Sequence, residues 1–240
     1  MTTLVIDGDL IAYRVSASAE VPINWGDGLW TLHSQESDVK VGVDDAIYEI
    51  VNRTECNKYI VALSDSKNNF RKKVASYYKA NRTNTRKPML LSFAREYMME
   101  RHNGLVWANL EADDVLGILA SSGDDYETWT LDKDLKTVPG KHWFDDKLIV
   151  ISEEEANHNF YHQTLTGDLT DNYGGCPKVG EKTADKILEK DNSWNGVVAA
   201  YFNAGLSDEV ALENARLARI LRDGEYNVGT GEVNLWVPET

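Results

Sequence analysis

Thr166-Gly-Asp-Leu-Thr-Asp-Asn-Tyr-Gly-Gly-Cys-Pro-Lys-Val-Gly-Glu-Lys-Thr-Ala-Asp-Lys-Ile-Leu188 is the stretch on which the fold reading turns. Its first half sets Asp168 and Asp171 three residues apart, so both carboxylates can face one way from a helical turn or tight loop and share a cation. Its second half breaks the chain at Gly174, Gly175, Pro177 and Gly180. Helix formers then resume from Glu181 to Lys190, with Ala184, Ile187 and Leu188 at helical spacing. The pattern predicts a helix, a glycine hairpin and a second helix. Such a hairpin can offer backbone N–H groups and a helix N-terminus to a phosphate, with Lys178 and Lys182 adding charge. The plainer possibility is a surface turn whose aspartates cap helices. Three glycines and a proline between positions 174 and 180 argue against it, because they specify unusual backbone.

Upstream, short apolar runs end repeatedly in acid. Thr3 to Ile6 stops at Asp7, Tyr59 to Leu63 is followed by Ser64-Asp65, Leu105 to Ala108 precedes Glu111-Ala-Asp-Asp114, and Thr128 to Leu131 precedes Asp132-Lys-Asp134. Helical patterns lie between them, over Leu10–Ala17, 41–54, 89–102, 115–120 and 153–165, and a β-hairpin is expected over 22–34. Further strands are expected at 142–144 and at 148–151, the latter an edge, with helices at 194–203 and 208–221 and a surface tail from 226 to 240. Strands alternating with helices imply an α/β fold with a mostly parallel central sheet flanked by helices. Sites in such sheets form at the carboxyl ends of strands, where Asp7, Asp65, Glu111 and Asp132 all fall.

Net charge is −14, from 39 acidic and 25 basic residues, which taken whole argues against a nucleic-acid partner. The distribution of charge points the other way. Between Ser66 and Arg95 there is no Asp or Glu, whereas Lys67, Arg71, Lys72, Lys73, Lys79, Arg82, Arg86, Lys87 and Arg95 are all basic. This is an anion-binding arm in an acidic body. Cys56 and Cys176 form no paired or metal-ligand pattern, and no apolar run approaches membrane-spanning length. The start carries no signal-peptide pattern, so a cytoplasmic protein is expected, in the host cytoplasm if phage-encoded.

If Asp7, Asp65, Glu111, Asp113, Asp114, Asp132, Asp134, Asp168 and Asp171 converge, their repulsion makes sense only with cations present. Oxygen ligands without thiolate or clustered imidazole suit Mg2+ or Mn2+ and not zinc. Glu111, Asp113 and Asp114 fan from one helix start and can reach two ions roughly 4 Å apart, the spacing of two-metal phosphoryl transfer. The implied reaction is phosphodiester hydrolysis.

The Thr166–Leu188 segment resembles the helix-hairpin-helix element of the 5'-nuclease family, the flap endonucleases and 5'-3' exonucleases of phages, polymerases and repair. Such elements usually read Gly-x-x-Gly-x-Gly-x-Lys-Thr/Arg-Ala, matched here at Gly175, Gly180, Lys182, Thr183 and Ala184, with Lys178 where glycine is common. Asp7-Gly…Tyr13-Arg14, Asp65 with Phe70-Arg71, Tyr78-Lys-Ala-Asn-Arg82, Glu111-Ala-Asp-Asp114, Asp132-Lys-Asp134 and Gly167-Asp-Leu-Thr-Asp-Asn172 stand in the order such a nuclease shows them. The resemblance spans roughly residues 3 to 190 and is greatest to phage 5'-3' exonucleases. It implies a PIN-like 5'-nuclease fold, with an α/β nuclease core at 1–160 carrying a helical arch at 66–95. Residues 161–240, a helix-hairpin-helix region with C-terminal helices, are expected to pack on that core as one unit. It further implies one ion held mainly by Asp7, Asp65, Glu111 and Asp113, and a second held mainly by Asp114, Asp132, Asp134, Asp168 and Asp171. Lys79 and Arg82 match cations aimed at the scissile phosphate, and Tyr78 matches an aromatic that stacks on an unpaired base. Arg71, Gly175, Lys178, Gly180, Lys182 and Thr183 are then DNA contacts, and some relatives bind K+ at the hairpin.

The expected activity is Mg2+-dependent 5'-3' exonuclease and flap cleavage leaving 5'-phosphates, by a monomer acting on duplex 5' ends, flaps and gaps. RNA–DNA hybrids and replication proteins are further expected partners, and a membrane is not. Asp7-Gly-Asp9 also resembles the opening of haloacid-dehalogenase-type phosphatases, but that leaves Glu111-Ala-Asp-Asp114 and the glycine hairpin unexplained. A PIN-type ribonuclease would share the acidic sheet edge but normally lacks the hairpin. A DNA-structure-binding protein without catalysis would use the acids only to hold structural ions.

Overall fold

The apolar run Thr3–Asp7 forms β1 inside a sheet covered on both faces, which is why it does not alternate with polar residues. The computed structural model describes residues 2–123 and 125–238. After β1 come α1 (Gly8–Ser18), the hairpin β2 (Val21–Asn24) and β3 (Trp30–His33), α2 (Glu36–Thr54) and β4 (Lys58–Leu63). The basic arm supplies only α3 (Arg71–Val74) and a 3-10 turn, η1 (Ala80–Asn84), before α4 (Leu91–Arg101) and β5 (Gly104–Val106). Next are α5 (Ala112–Ser121), β6 (Tyr126–Thr130), η2 (Lys133–Thr137), β7 (Gly140–Phe144), β8 (Lys147–Ile151) and α6 (Glu153–Thr166). The chain ends with α7 (Glu181–Lys190), α8 (Trp194–Asn203), α9 (Asp208–Ala218) and a small hairpin, β9 (Tyr226–Asn227) with β10 (Glu232–Val233).

The main sheet runs β5-β4-β1-β6-β7-β8, parallel except for the edge strand β8, which pairs antiparallel with β7. The chain steps outward from β1 to β4 and β5, then returns to β6 on the other side of β1. The strand order therefore reverses between β1 and β6, and a crevice opens above their carboxyl ends. Leu4 and Ile6 pack toward α1, α2 and α4, and Val5 packs toward α5. Gly8 lets α1 start directly on β4, since a Cβ there would lie 2.5 Å from Val61 Cγ1 and 2.8 Å from the Ala62 carbonyl oxygen.

Gly167 and Gly175 fix the loop between α6 and α7. Their φ values are +69° and +63°, and a Cβ on either would lie 2.4 Å from the backbone of the facing segment. Two strands of loop cross here with no room for a side chain. The crossing projects residues 168–171 toward the crevice, and main-chain bonds between Asp168 and Tyr173 (2.9 and 3.0 Å) close it.

Two stretches differ from the sequence reading: the arch expected to be helical over 66–95 is mostly turn and coil around α3 and η1, and the last long helix is shorter than expected. The helix expected over 208–221 ends at Ala218, because the Arg219 carbonyl is taken by Arg71 Nη2 (2.6 Å) and the Leu221 N–H by Asp114 Oδ1 (3.2 Å). The tail lies along the surface and is held there where Tyr226 stacks on Trp107 at 5.5 Å and Trp236 meets Phe160 and Trp194 edge-on. Residues 239–240 lie outside the described part. Among the described residues, no helix is long and apolar enough to cross a membrane.

His142 on β7 is fully buried, donating from Nε2 to the Val138 carbonyl (2.9 Å) while Nδ1 accepts from Thr128 Oγ1 (2.7 Å). Burial lowers its pKa to about 4, from an ordinary 6.5. A folded-state pKa below the unfolded one means stability is complete above about 6.5 and is lost as pH falls toward 4. Urea unfolding at pH 7 and 4.5 should show a loss of about 2 kcal/mol from this group. His142→Gln should flatten that part of the profile, and an unchanged pH dependence would refute the assignment.

Candidate active site

Asp7, at the end of β1, becomes the N-cap of α1. Its Oδ1 accepts from the Leu10 N–H (3.1 Å), and its Oδ2 accepts from Thr130 Oγ1 (2.9 Å) at the end of β6. Thr130 in turn accepts from the Asp132 N–H (3.1 Å), and Asp132 caps η2 by accepting from the Asp134 N–H (2.9 Å). The local needs of two helix starts thus place three carboxylates at the switch point. Glu111 and Asp113 come from the start of α5, and Asp168 and Asp171 from the glycine-crossed loop.

A cavity of about 990 Å³ opens there, and Asp7, Glu111, Asp113, Asp132, Asp134, Asp168 and Asp171 all line it. Asp9, which the sequence reading did not place in the site, joins them. It accepts from the Ser64 N–H (3.0 Å) and pairs with Arg95, and its position two residues past Asp7 on a helix start was the available signal.

Crowding shows in the electrostatics. Burial, then the charges of Asp7, Asp132 and Glu111, hold the Asp113 carboxyl well above its usual range. Burial also raises Asp7, and burial with Asp132 and Asp168 pushes Asp134 up to about 6. Glu111 goes the other way: burial opposes its charge, yet Arg71, Lys79 and the Tyr78 hydroxyl together bring it down to about 2. The donors are oxygens that repel one another, a set suited to hard divalent ions. As the site stands, no three His, Cys, Asp or Glu among the described residues are grouped to hold a metal ion. Lys79 Nζ instead lies between Glu111 Oε1 (2.5 Å) and Asp171 Oδ2 (3.4 Å).

Two predicted ligands are elsewhere. Asp114 is fully buried beneath the cavity, gripped by Arg71 through both oxygens (2.8 and 2.7 Å) and accepting from the Glu111 and Leu221 N–H groups. With every lone pair directed inward, it is structural and not an ion ligand. Asp65 does not line the cavity. Its oxygens close the Ser64–Asn69 turn by accepting from the Lys67, Asn68 and Asn109 N–H groups. Burial raises its pKa, but those backbone bonds outweigh it and leave the carboxyl below its usual range.

The basic arm also divides differently from its expected roles. Arg71 is 3 % exposed and spends its guanidinium on Asp114, Glu111 (3.1 Å) and the Leu217 and Arg219 carbonyls, so it is no DNA contact. Tyr78 is 2 % exposed, with its ring in a core cluster with Phe160 and Tyr173. Its hydroxyl donates to Glu111 Oε2 (2.9 Å) and Asp171 Oδ2 (2.7 Å), so its ring face is not offered to a base. Lys79, in the left-handed region at φ 55°, and Arg82 do reach the cavity, where Arg82 pairs with Asp171. Lys178, Gly180, Lys182 and Thr183 lie exposed together beside the start of α7. Lys178 sits at φ 65°, a conformation easier for glycine, which accounts for the residue usual there in such hairpins. Gly175 serves the loop crossing, and its N–H is taken by Asn214 Oδ1 (3.2 Å).

Residues 2–164 match the family model described as 5'-3' exonuclease, N-terminal resolvase-like domain. The chain belongs to the 5'-3' exonuclease family. Relatives include an exodeoxyribonuclease of Enterobacteria phage T3, 25% identical over 99% of this chain and 93% of its own length. An exonuclease of Escherichia phage T7 is 26% identical over 98% and 93%. DNA polymerase I of Bacillus caldotenax is 28% identical over 96% of this chain but only 29% of its own length. Among solved structures, the phage T5 5'-exonuclease with bound zinc shares the fold at a TM-score of 0.69 and 16% identity, over 91% of this chain and 89% of that one.

Asp113 on the cavity wall and Asp114 beneath it should respond oppositely to substitution. A carboxyl raised by its neighbours destabilises the fold at pH 7, so Asp113→Asn should raise the stability in EDTA by on the order of 1 kcal/mol. Asp114→Asn removes the charge that grips buried Arg71 through both oxygens, leaving it only Glu111, and should cost about 3 kcal/mol. Urea midpoints of the two variants check this, and shifts of the same sign would contradict the division between them.

Proposed function

We propose that this chain is a divalent-metal-dependent 5'-3' exonuclease with flap endonuclease capacity, hydrolysing DNA phosphodiesters to leave 5'-phosphates. The observation that carries the reading is the gathering of Asp7, Glu111, Asp113, Asp132, Asp134, Asp168 and Asp171 in one cavity that Lys79 and Arg82 enter from the arm. The family membership and the names of the T3 and T7 relatives support it.

Asp7, Glu111 and Asp113 would hold one Mg2+, and Asp132, Asp134, Asp168 and Asp171 a second. When bound, such ions supply a water of lowered pKa and charge stabilisation for an in-line displacement. The protein's own groups do the remaining work. Thr130 and the Leu10 N–H keep the Asp7 carboxylate turned toward the cavity. Lys79 and Arg82 balance the acids in the free protein and are placed to meet the phosphate's charge when DNA enters. Exposed Lys178 and Lys182 grip the backbone of the duplex away from the cut. Charge is thus divided, with cations where phosphate passes and acids where bonds break.

One digestion tests this reading. With Mg2+, 5'-labelled nicked, gapped and flapped duplexes should release short 5'-phosphorylated products, and EDTA should stop release. A protein that shifts these DNAs in a gel without cutting them would refute the proposal and favour a binding protein. Lys79→Ala should lower the single-turnover rate by about 100-fold while changing duplex affinity only a few-fold. Equal losses in both would assign Lys79 to binding alone.

A further inference from the structure

One polar side chain on the cavity wall lies outside every motif that singled out the carboxylates. Gln163 is on α6, whose buried face is Ala156, Phe160, Thr164 and Leu165. Asn159, Gln163 and Thr166 follow one another at helical spacing along the adjoining face and line the cavity. Gln163 Nε2 donates to Asp134 Oδ2 at 3.0 Å. Its main-chain carbonyl accepts from the Gly167 N–H at 2.8 Å, so the same residue closes α6 and opens the loop that carries Asp168. Its Oε1 is buried and has no hydrogen-bond partner among the described residues. A carboxylate accepts and does not donate, which fixes the amide with its nitrogen on Asp134 and its oxygen turned away from it.

We propose that Gln163 is a positioning residue of the reaction: its amide nitrogen holds the Asp134 carboxylate toward the cavity. This rests on the metal-dependent nuclease reading above. Asp134 has acidic neighbours in Asp132 and Asp168. A neutral donor is therefore what keeps the Asp134 side chain from turning away from them without cancelling the charge that a cation needs. Fastening α6 to η2 does not require Gln163, because Asn159 Nδ2 already donates to the Lys136 carbonyl at 2.9 Å.

The test uses the full chain with Gln163→Met and Gln163→Asn, the first lacking the amide and the second too short to reach Asp134. Mn2+ alone is titrated into DNA-free protein with free ion read by electron paramagnetic resonance. Single-turnover cleavage of a flapped duplex is measured with saturating protein, and affinity for that duplex is measured in EDTA. Both variants should bind Mn2+ and cleave about tenfold more weakly. Duplex affinity should stay within about twofold, since the cation contacts are untouched, and urea midpoints should stay at the wild-type value. Wild-type Mn2+ binding and cleavage in either variant overturns the proposal, as does a loss that follows a lowered unfolding midpoint. A wild-type chain that neither binds Mn2+ nor cuts removes the nuclease reading itself, which separates that failure from one confined to Gln163.

Discussion

Repulsion among crowded carboxylates governs this molecule. Asp7, Asp113 and Asp132 meet where the strand order reverses, and burial with mutual charge holds Asp113 well above the ordinary carboxylate range. No packing of the sheet relieves this, because the same residues cap α1 and η2 and open α5. The fold builds the repulsion in as a consequence of starting helices at the carboxyl ends of adjacent parallel strands.

What offsets it in the free protein is the basic arm. Lys79 reaches between Glu111 and Asp171, Arg82 pairs with Asp171, and the Lys79 N–H donates to the Asp171 carbonyl at 2.9 Å. Beneath them, Arg71 ties α3 to Asp114 and to the Leu217 and Arg219 carbonyls, so the arm's root is fixed while its cations face the cavity. The arm is thus two devices in one segment, a buried anchor and an exposed counter-charge. Net charge alone conceals this, because a chain of −14 overall places these cations in a segment free of acids that faces the carboxylates.

Sheet and helices were legible because their signals are local. Apolar runs ending in Asp7, Asp65 and Asp132, and the break at Gly174-Gly175, carry their own geometry. The convergence of most of the acids was legible from position, since each candidate followed a strand or led into the glycine hairpin. Which member of Glu111-Ala-Asp-Asp114 faces inward was not. Helical spacing turns Asp114 under α5, and only the distant Arg71 and Leu221 reveal that it is consumed there. Tyr78 and Arg71 misled for the same reason: a residue in a basic run looks exposed until the partners that bury it, Phe160 and Asp114, arrive from elsewhere in the chain. Gln163 carried no motif at all, and only the folded chain brings its amide to Asp134.

If the fold concentrates negative charge in order to hold a divalent ion, that ion must stabilise the folded state. Urea unfolding of the full chain across a Mg2+ series, against NaCl at matched ionic strength, measures this most directly. Mg2+ should raise stability progressively and beyond the effect of NaCl, as binding to the folded state requires. Identical curves in the two salts would mean that simple screening suffices, and would contradict a divalent-ion site.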